Sequence, residues 1–257
     1  MSSVEEPPPR IKATFFDFMG TCLNWHASVS ASLPESLSER EASDLALEWR
    51  RQYFISNQNR LSQNLAPEDI DITLFRTLQK IVNEHQYLSA DKKGSFDFSD
   101  SETSNAKSMI KAWHNQPAWE DVSPALSTIR AEFPHLEVFV HANGTTRLQL
   151  DLVRSSGLGK YFDMLFSSQL LGVYKPAREA YLKGLELVKL RPEEVVVVAA
   201  HAYDLRGAKQ VGMKTVYVPR WTDDVDEDLE KIKKDGEFEF VLEGGMGGLV
   251  DVVRGLV

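Results

Sequence analysis

One cysteine, Cys22, occurs in 257 residues. No intrachain disulfide can form, and a reducing, cytoplasmic setting is the expected one. A reactive thiol needs a neighbour that favours thiolate; none stands beside Cys22, which reads as a small buried filler after a turn. Long hydrophobic runs are missing too. The most continuously apolar stretch, Val195 to Ala200, is far too short to span a bilayer. Met1 to Arg10 carries two Glu and three Pro, lacks the apolar segment of a signal peptide and reads as a disordered arm. Positive charge is in deficit: 29 Lys and Arg against 38 Asp and Glu give a net charge of −9. That argues against nucleic acid or an anionic membrane as partner, since both select a basic surface. A small anionic organic substrate stays compatible, because local cations can outweigh the global field. No Gly-x-Ser-x-Gly elbow, no His/Cys cluster with zinc-ligand spacing and no internal repeat is present. The Gly-rich run Glu243 to Gly248 does not have the spacing of a dinucleotide loop.

What is there is an ordinary globular composition, 42% apolar and 26% charged, with ample material for a core. Ile11 to Phe16, Leu136 to Val140 and Glu194 to Ala200 read as buried strands, with Lys214 to Val218 and Phe238 to Leu242 as weaker ones. Helical spacing marks 146–156, 176–190, 203–211 and 225–234, so strand and helix alternate as in a parallel sheet. The stretch from about 24 to 118 differs: it has no convincing strand, and 36–60, 70–85 and 103–113 look helical. Residues 96–105 are acidic and Ser-rich and read as a surface loop. The expectation is an α/β, Rossmann-like core from 11–23 and 119–257, with an all-α cap from 24–118 inserted after the first strand.

Four segments place polar residues at predicted carboxyl ends of strands, where ligands of open α/β sheets collect. They hold Asp17 and Thr21; then His141 to Thr146 with Asn143; then Lys175 and Pro176; then His201 to Asp204. Pro176 suits the first position of the helix carrying Tyr181. Each candidate has a structural rival. Asp17 could cap a turn, Lys175 could be a solvated surface residue, Asp204 could N-cap the helix starting there, and Asn143 could serve the turn that Gly144 opens. Arg50 lies on the shoulder of the apolar stripe Ala42, Leu45, Ala46, Trp49 and Tyr53, where it can reach a cleft edge. His26, His85, His114 and His135 lack companions and read as structural or exposed.

This set resembles the haloacid dehalogenase superfamily and, within it, the type II 2-haloacid dehalogenases. The likeness runs over nearly the whole chain from Ile11. It rests on Asp17-Phe18-Met19-Gly20-Thr21, Ala142-Asn143-Gly144, Tyr174-Lys175-Pro176 with Tyr181, Ala199 to Ala208, and the cap pair Trp49-Arg50. The resemblance implies hydrolytic dehalogenation of a small 2-halo carboxylic acid. Asp17 would attack carbon and form an aspartyl ester, held ionised by Lys175. Arg50 and Asn143 would receive the departing halide, Asp204 and His201 would orient the hydrolytic water, and Thr21 and Tyr181 would position carboxylates. No cofactor and no metal are called for, and a homodimer is carried over from relatives. Met19 stands where the superfamily's phosphatases, which use Mg²⁺, place a general acid.

Three residues depart from the pattern: Ala142 and Ala199 replace serines, and His201 replaces an asparagine. They bear on the substrate more than on the reaction type. Three other readings stay open: a phosphatase of the same superfamily, a hydrolase opening a strained C–N ring such as an azetidine carboxylate, and a catalytically silent binding protein of this fold.

Overall fold

The structure, a computed structural model, describes residues 10–84, 88–99, 101 and 103–257. The expected N-terminal arm, apart from Arg10, and His85 lie outside the described residues.

A six-stranded, wholly parallel sheet runs in the order β3-β2-β1-β4-β5-β6. Its strands are β1 Ala13–Phe16, β2 Glu137–Ala142, β3 Met164–Ser167, β4 Val195–Ala199, β5 Lys214–Tyr217 and β6 Phe240–Val241. The central strands are apolar on both faces because helices cover both. Side-chain alternation splits the core in two. Phe16, Val138, Val140, Val196 and Val198 join one apolar cluster; Ala13, Phe15, Phe139, Val195 and Val197 join the other.

Among the described residues six helices lie between β1 and β2: α1 Trp25–Ser32, α2 Glu39–Ser62, α3 Ile70–Glu84, α4 Ala90–Gly94, α5 Asn105–Trp113 and α6 Val122–Glu132. The 24-residue α2 starts at a capping box, Ser38 and Glu41 each satisfying the other's backbone N–H. Its buried face is the expected stripe, Leu45, Ala46, Trp49 and Tyr53, with Arg50 at its edge. Trp49 donates its indole N–H to Leu74 O at 3.0 Å and so fastens α2 to α3. Trp113 stacks on Trp25 at 5.5 Å and meets Trp49 edge-on at 5.2 Å. These tryptophans belong to the same apolar cluster as Phe16 and Val198.

After β2 come α7 Thr146–Ser155, α8 Ser168–Leu171, α9 Arg178–Val188, α10 Ala202–Val211, α11 Leu229–Lys234 and α12 Leu249–Leu256. The sequence reading did not contain α4, α8 or α12, nor β3, four residues long with Met164 exposed at the sheet edge, nor α6, whose Pro124 sits in its first turn, where proline is tolerated. α1 was also missed. The helix expected over 225–234 shrinks to Leu229–Lys234, and 221–224 is a loop at the carboxyl end of β5. Gly245 explains the Gly-rich run. With φ at 80° it passes so close to Asp121 that a Cβ would lie 2.3 Å from the carboxylate, whose oxygen accepts the Met246 N–H at 2.7 Å. The run is a close backbone approach, not a phosphate loop. Among the described residues no helix is long and apolar enough to cross a membrane.

Candidate active site

Register brings the candidate residues to one edge. Phe16 pairs with both Val140 and Val198, so the residues just beyond them, Asp17, His141 to Asn143 and Ala199 to His201, emerge side by side. This is where neighbouring connections leave β1 in opposite directions, the crevice that open α/β sheets use for ligands.

Asp17 is 5% exposed, and every donor around it is named by geometry. Its Oδ1 accepts from Lys175 Nζ at 2.9 Å. Its Oδ2 accepts from Thr21 Oγ1 at 2.6 Å and from His201 Nδ1 at 2.9 Å. Thr21 is fixed in turn by the Ala200 N–H, 2.8 Å from its oxygen. Burial alone would favour the neutral acid, but the positive charges of Lys175 and His201 outweigh it and hold the Asp17 carboxyl well below the usual range.

Lys175 has three N–H donors and all are used: on Asp17, on Asp204 Oδ2 at 2.5 Å and on the His141 carbonyl at 2.7 Å. Burial opposes its charge, yet Asp17 and Asp204 raise its pKa. Its backbone is clamped by Asn143, which accepts the Lys175 N–H at 2.8 Å and donates to its carbonyl at 3.1 Å. Asn143 was expected at the departing halide; its amide braces the lysine main chain. Pro176 does not open a helix as expected. The Ala177 N–H closes a turn on Tyr174 O at 3.1 Å, α9 begins at Arg178, and the turn carries Lys175 inward.

Asp204 is fully buried at the third position of α10 and does not cap that helix. Its Oδ1 accepts from Tyr181 Oη at 2.6 Å while Oδ2 holds Lys175. Burial leaves its pKa raised in spite of the lysine. Cys22 is buried, 3.4 Å from Asp17 O; burial pushes its thiol pKa up and keeps it protonated.

The other flank holds residues the sequence reading missed. His201 Nε2 lies 2.9 Å from Asp223 Oδ1. With a carboxylate at each ring nitrogen and carboxylates able only to accept, both nitrogens must donate, so the ring is an imidazolium. Burial opposes that charge, but Asp17 and Asp223 raise its pKa from the ordinary 6.5 to about 10. Asp223 Oδ2 accepts from Trp25 Nε1 at 3.0 Å and Thr222 Oγ1 at 2.7 Å, and His201 holds its pKa down against burial. Next to it, Asp224 accepts the Ala202 N–H and the Tyr217 hydroxyl. The strand-end rule that found four segments would have found Asp223 if applied to the loop after β5.

Arg50 reaches this flank from α2. Its guanidinium lies 3.6 Å from Asp223 Oδ1, donates to Met19 O at 3.2 Å and sits over the Phe54 ring at 4.5 Å. Its Nε is buried without a hydrogen-bond partner. Gly20, with φ at 91°, completes the fit: a Cβ there would lie 2.6 Å from the Asp223 carboxylate. Three carboxylates thus face three cations. Beside them open a cleft of about 280 Å³ lined by Phe54, Leu61, Asn143, Lys175 and Tyr203, and one of about 490 Å³ reaching Arg50, His201 and Asp223.

The chain is similar to (S)-2-haloacid dehalogenase 4A of Burkholderia cepacia, 24% identical over 210 residues that cover 82% of this chain and 84% of the relative. It is also similar to a glyceraldehyde 3-phosphate phosphatase of Methanopyrus kandleri, 26% identical over 195 residues, 71% of this chain and 80% of the relative. Among solved structures it superimposes on the L-2-haloacid dehalogenase of Xanthobacter autotrophicus with chloropropionic acid covalently bound. The TM-score is 0.76 at 19% identity, over 96% of this chain and 100% of that one, a likeness of fold. The family model of haloacid dehalogenase-like hydrolases matches residues 11–212, and to that family of hydrolases the chain belongs.

Proposed function

We propose that this hydrolase dehalogenates a small 2-halo carboxylic acid through an ester on Asp17. The observation that carries the reading is the Asp17 carboxylate itself: buried, ionised, and aimed by Lys175, Thr21 and His201. A desolvated carboxylate is a stronger nucleophile than a hydrated one, and the flanking cations keep it charged. Asp17 would displace halide from carbon. Arg50, whose buried Nε has no hydrogen-bond partner, would meet the leaving halide. Asp204, its pKa raised by burial, would take a proton from the water that attacks the ester. Tyr181 and Asn143 would keep Asp204 and Lys175 in place, and residues 24–118 would act as the cap closing the site. The Xanthobacter structure with bound chloropropionic acid and the Burkholderia relative support the substrate class.

Magnesium-dependent phosphate transfer fits these residues less well. All four oxygens of Asp17 and Asp204 already accept hydrogen bonds, and the Lys175 ammonium lies where a cation joining the two acids would sit. Position 19 offers a thioether instead of an acid.

Incubation with both enantiomers of 2-chloropropionate and with chloroacetate should release halide. Phosphate release from 4-nitrophenyl phosphate with Mg²⁺, and no halide, would establish the phosphatase reading suggested by the Methanopyrus relative. Neither product from folded protein would leave the C–N ring-opening hydrolase and the silent binding protein of this fold, which turnover of an azetidine carboxylate separates.

A further inference from the structure

The proposed displacement leaves a question the two oxygens of Asp17 answer differently. Oδ2 already holds two donors, Thr21 and His201; Oδ1 holds one, Lys175. A carboxylate oxygen has two in-plane lone pairs, so Oδ1 keeps one open for carbon and Oδ2 does not. We infer that Oδ1 is the attacking atom, that Oδ2 becomes the ester carbonyl, and that His201, aimed by Asp223, is the catalytic donor that stabilises Oδ2 when water attacks. This deepens the dehalogenase reading and rests on it.

The steps balance. The Oδ1–carbon bond forms as the carbon–halogen bond breaks, and halide leaves with the electron pair. Water then adds to Cγ while the carbonyl pair moves onto Oδ2; one water proton passes to Asp204. The negative charge appears on the atom that Thr21 and the His201 imidazolium already touch. Collapse restores the carbonyl and breaks the Cγ–Oδ1 bond. The hydroxy acid departs with Oδ1 and takes the proton from Asp204. Asp17, now bearing an oxygen from water, releases a proton to solvent.

Esterification removes the Asp17 charge that faces His201. Asp223 then remains as the anion that keeps the ring charged and turned toward Oδ2, with Trp25, Thr222 and Arg50 holding Asp223. Asp223 is a positioning residue: it touches His201 and not the reacting atoms. Its contact through the far ring nitrogen fixes which way Nδ1 points, as a carboxylate does behind other catalytic histidines.

The test is rapid mixing of wild type, His201→Leu and Asp223→Asn with 2-chloropropionate, reading halide and the intact protein mass. Removing one donor to a tetrahedral oxyanion lowers rates by roughly 10²–10³-fold. His201→Leu, which has no donor, should therefore release one equivalent of halide in a burst, turn over about that much more slowly, and carry the ester mass on Asp17. Asp223→Asn should show the same pattern with a smaller loss. A burst also reports a folded site. If wild type bursts but both variants lose burst and turnover together, without an ester mass, the role of His201 is overturned. If wild type gives neither burst nor adduct, the dehalogenase reading itself fails. A measurement on unaltered protein stands beside these. In ¹⁵N-histidine spectra at pH 8, the His201 ring should carry protons on both nitrogens; a neutral ring would overturn the inference whatever the variants do.

Discussion

The two flanks of Asp17 are built to one plan from unlike parts. On one side a lysine meets Oδ1 and is backed by Asp204, itself held by Tyr181. On the other, a histidine meets Oδ2 and is backed by Asp223, itself held by Trp25 and Thr222. Each flank is a cation between two acids, which lets a buried carboxylate stay ionised without an uncompensated charge. The lysine flank is made of residues outside the helical insert, whereas the histidine flank also takes Trp25 and Arg50 from it.

Five perturbations test this comparison. Asp17→Asn removes what both share and should abolish halide release, by at least about 10⁴-fold, since catalytic groups that act as a unit fail together. Lys175→Met leaves Asp17 and Asp204 facing each other with no cation between. Removing one partner of a buried pair costs about 3–5 kcal/mol, so its urea midpoint should fall far more than that of any variant behind the histidine. Tyr181→Phe and Trp25→Phe each delete one hydrogen bond to a buffering acid, worth about 1.5–3 kcal/mol to a charged group. Tyr181→Phe should leave cap position unchanged, whereas Trp25→Phe should also increase hydrogen exchange in α2, because its acid holds Arg50. The remaining effect is in pH. The folded pKa of His201, about 10, exceeds its ordinary 6.5. Its charge therefore contributes stability fully below pH 6.5, and that contribution is lost as pH rises through 10. Thermal melts of wild type should decline over this window, and His201→Asn should flatten the decline.

The flanks also differ in how readable they were. Asp17, Thr21, Lys175, Tyr181 and Asp204 lie in short motifs at strand ends, and a motif is a local pattern. Buried strands announced themselves by unbroken apolar runs, and the α2 stripe by its spacing, so the parallel core and helical insert were legible. Asp223 was not, because it lies in the loop 221–224, which carries no motif. Its meaning comes from His201, 22 residues away, and from Trp25, 198 residues away. Asn143 was read as a halide ligand or as a turn residue; the distances to the Lys175 backbone add a brace that its motif does not announce. β3 was missed because four residues at a sheet edge carry too little periodicity to stand out.

The central claim is that Asp17 bonds covalently to substrate carbon. A single turnover in H₂¹⁸O with excess enzyme tests it directly, with the Asp17 peptide and the hydroxy acid both weighed. Heavy oxygen should appear in the Asp17 carboxylate, and the product should carry an unlabelled hydroxyl. Label in the product, with an unlabelled Asp17 peptide, would mean that water attacks carbon itself, and would contradict it.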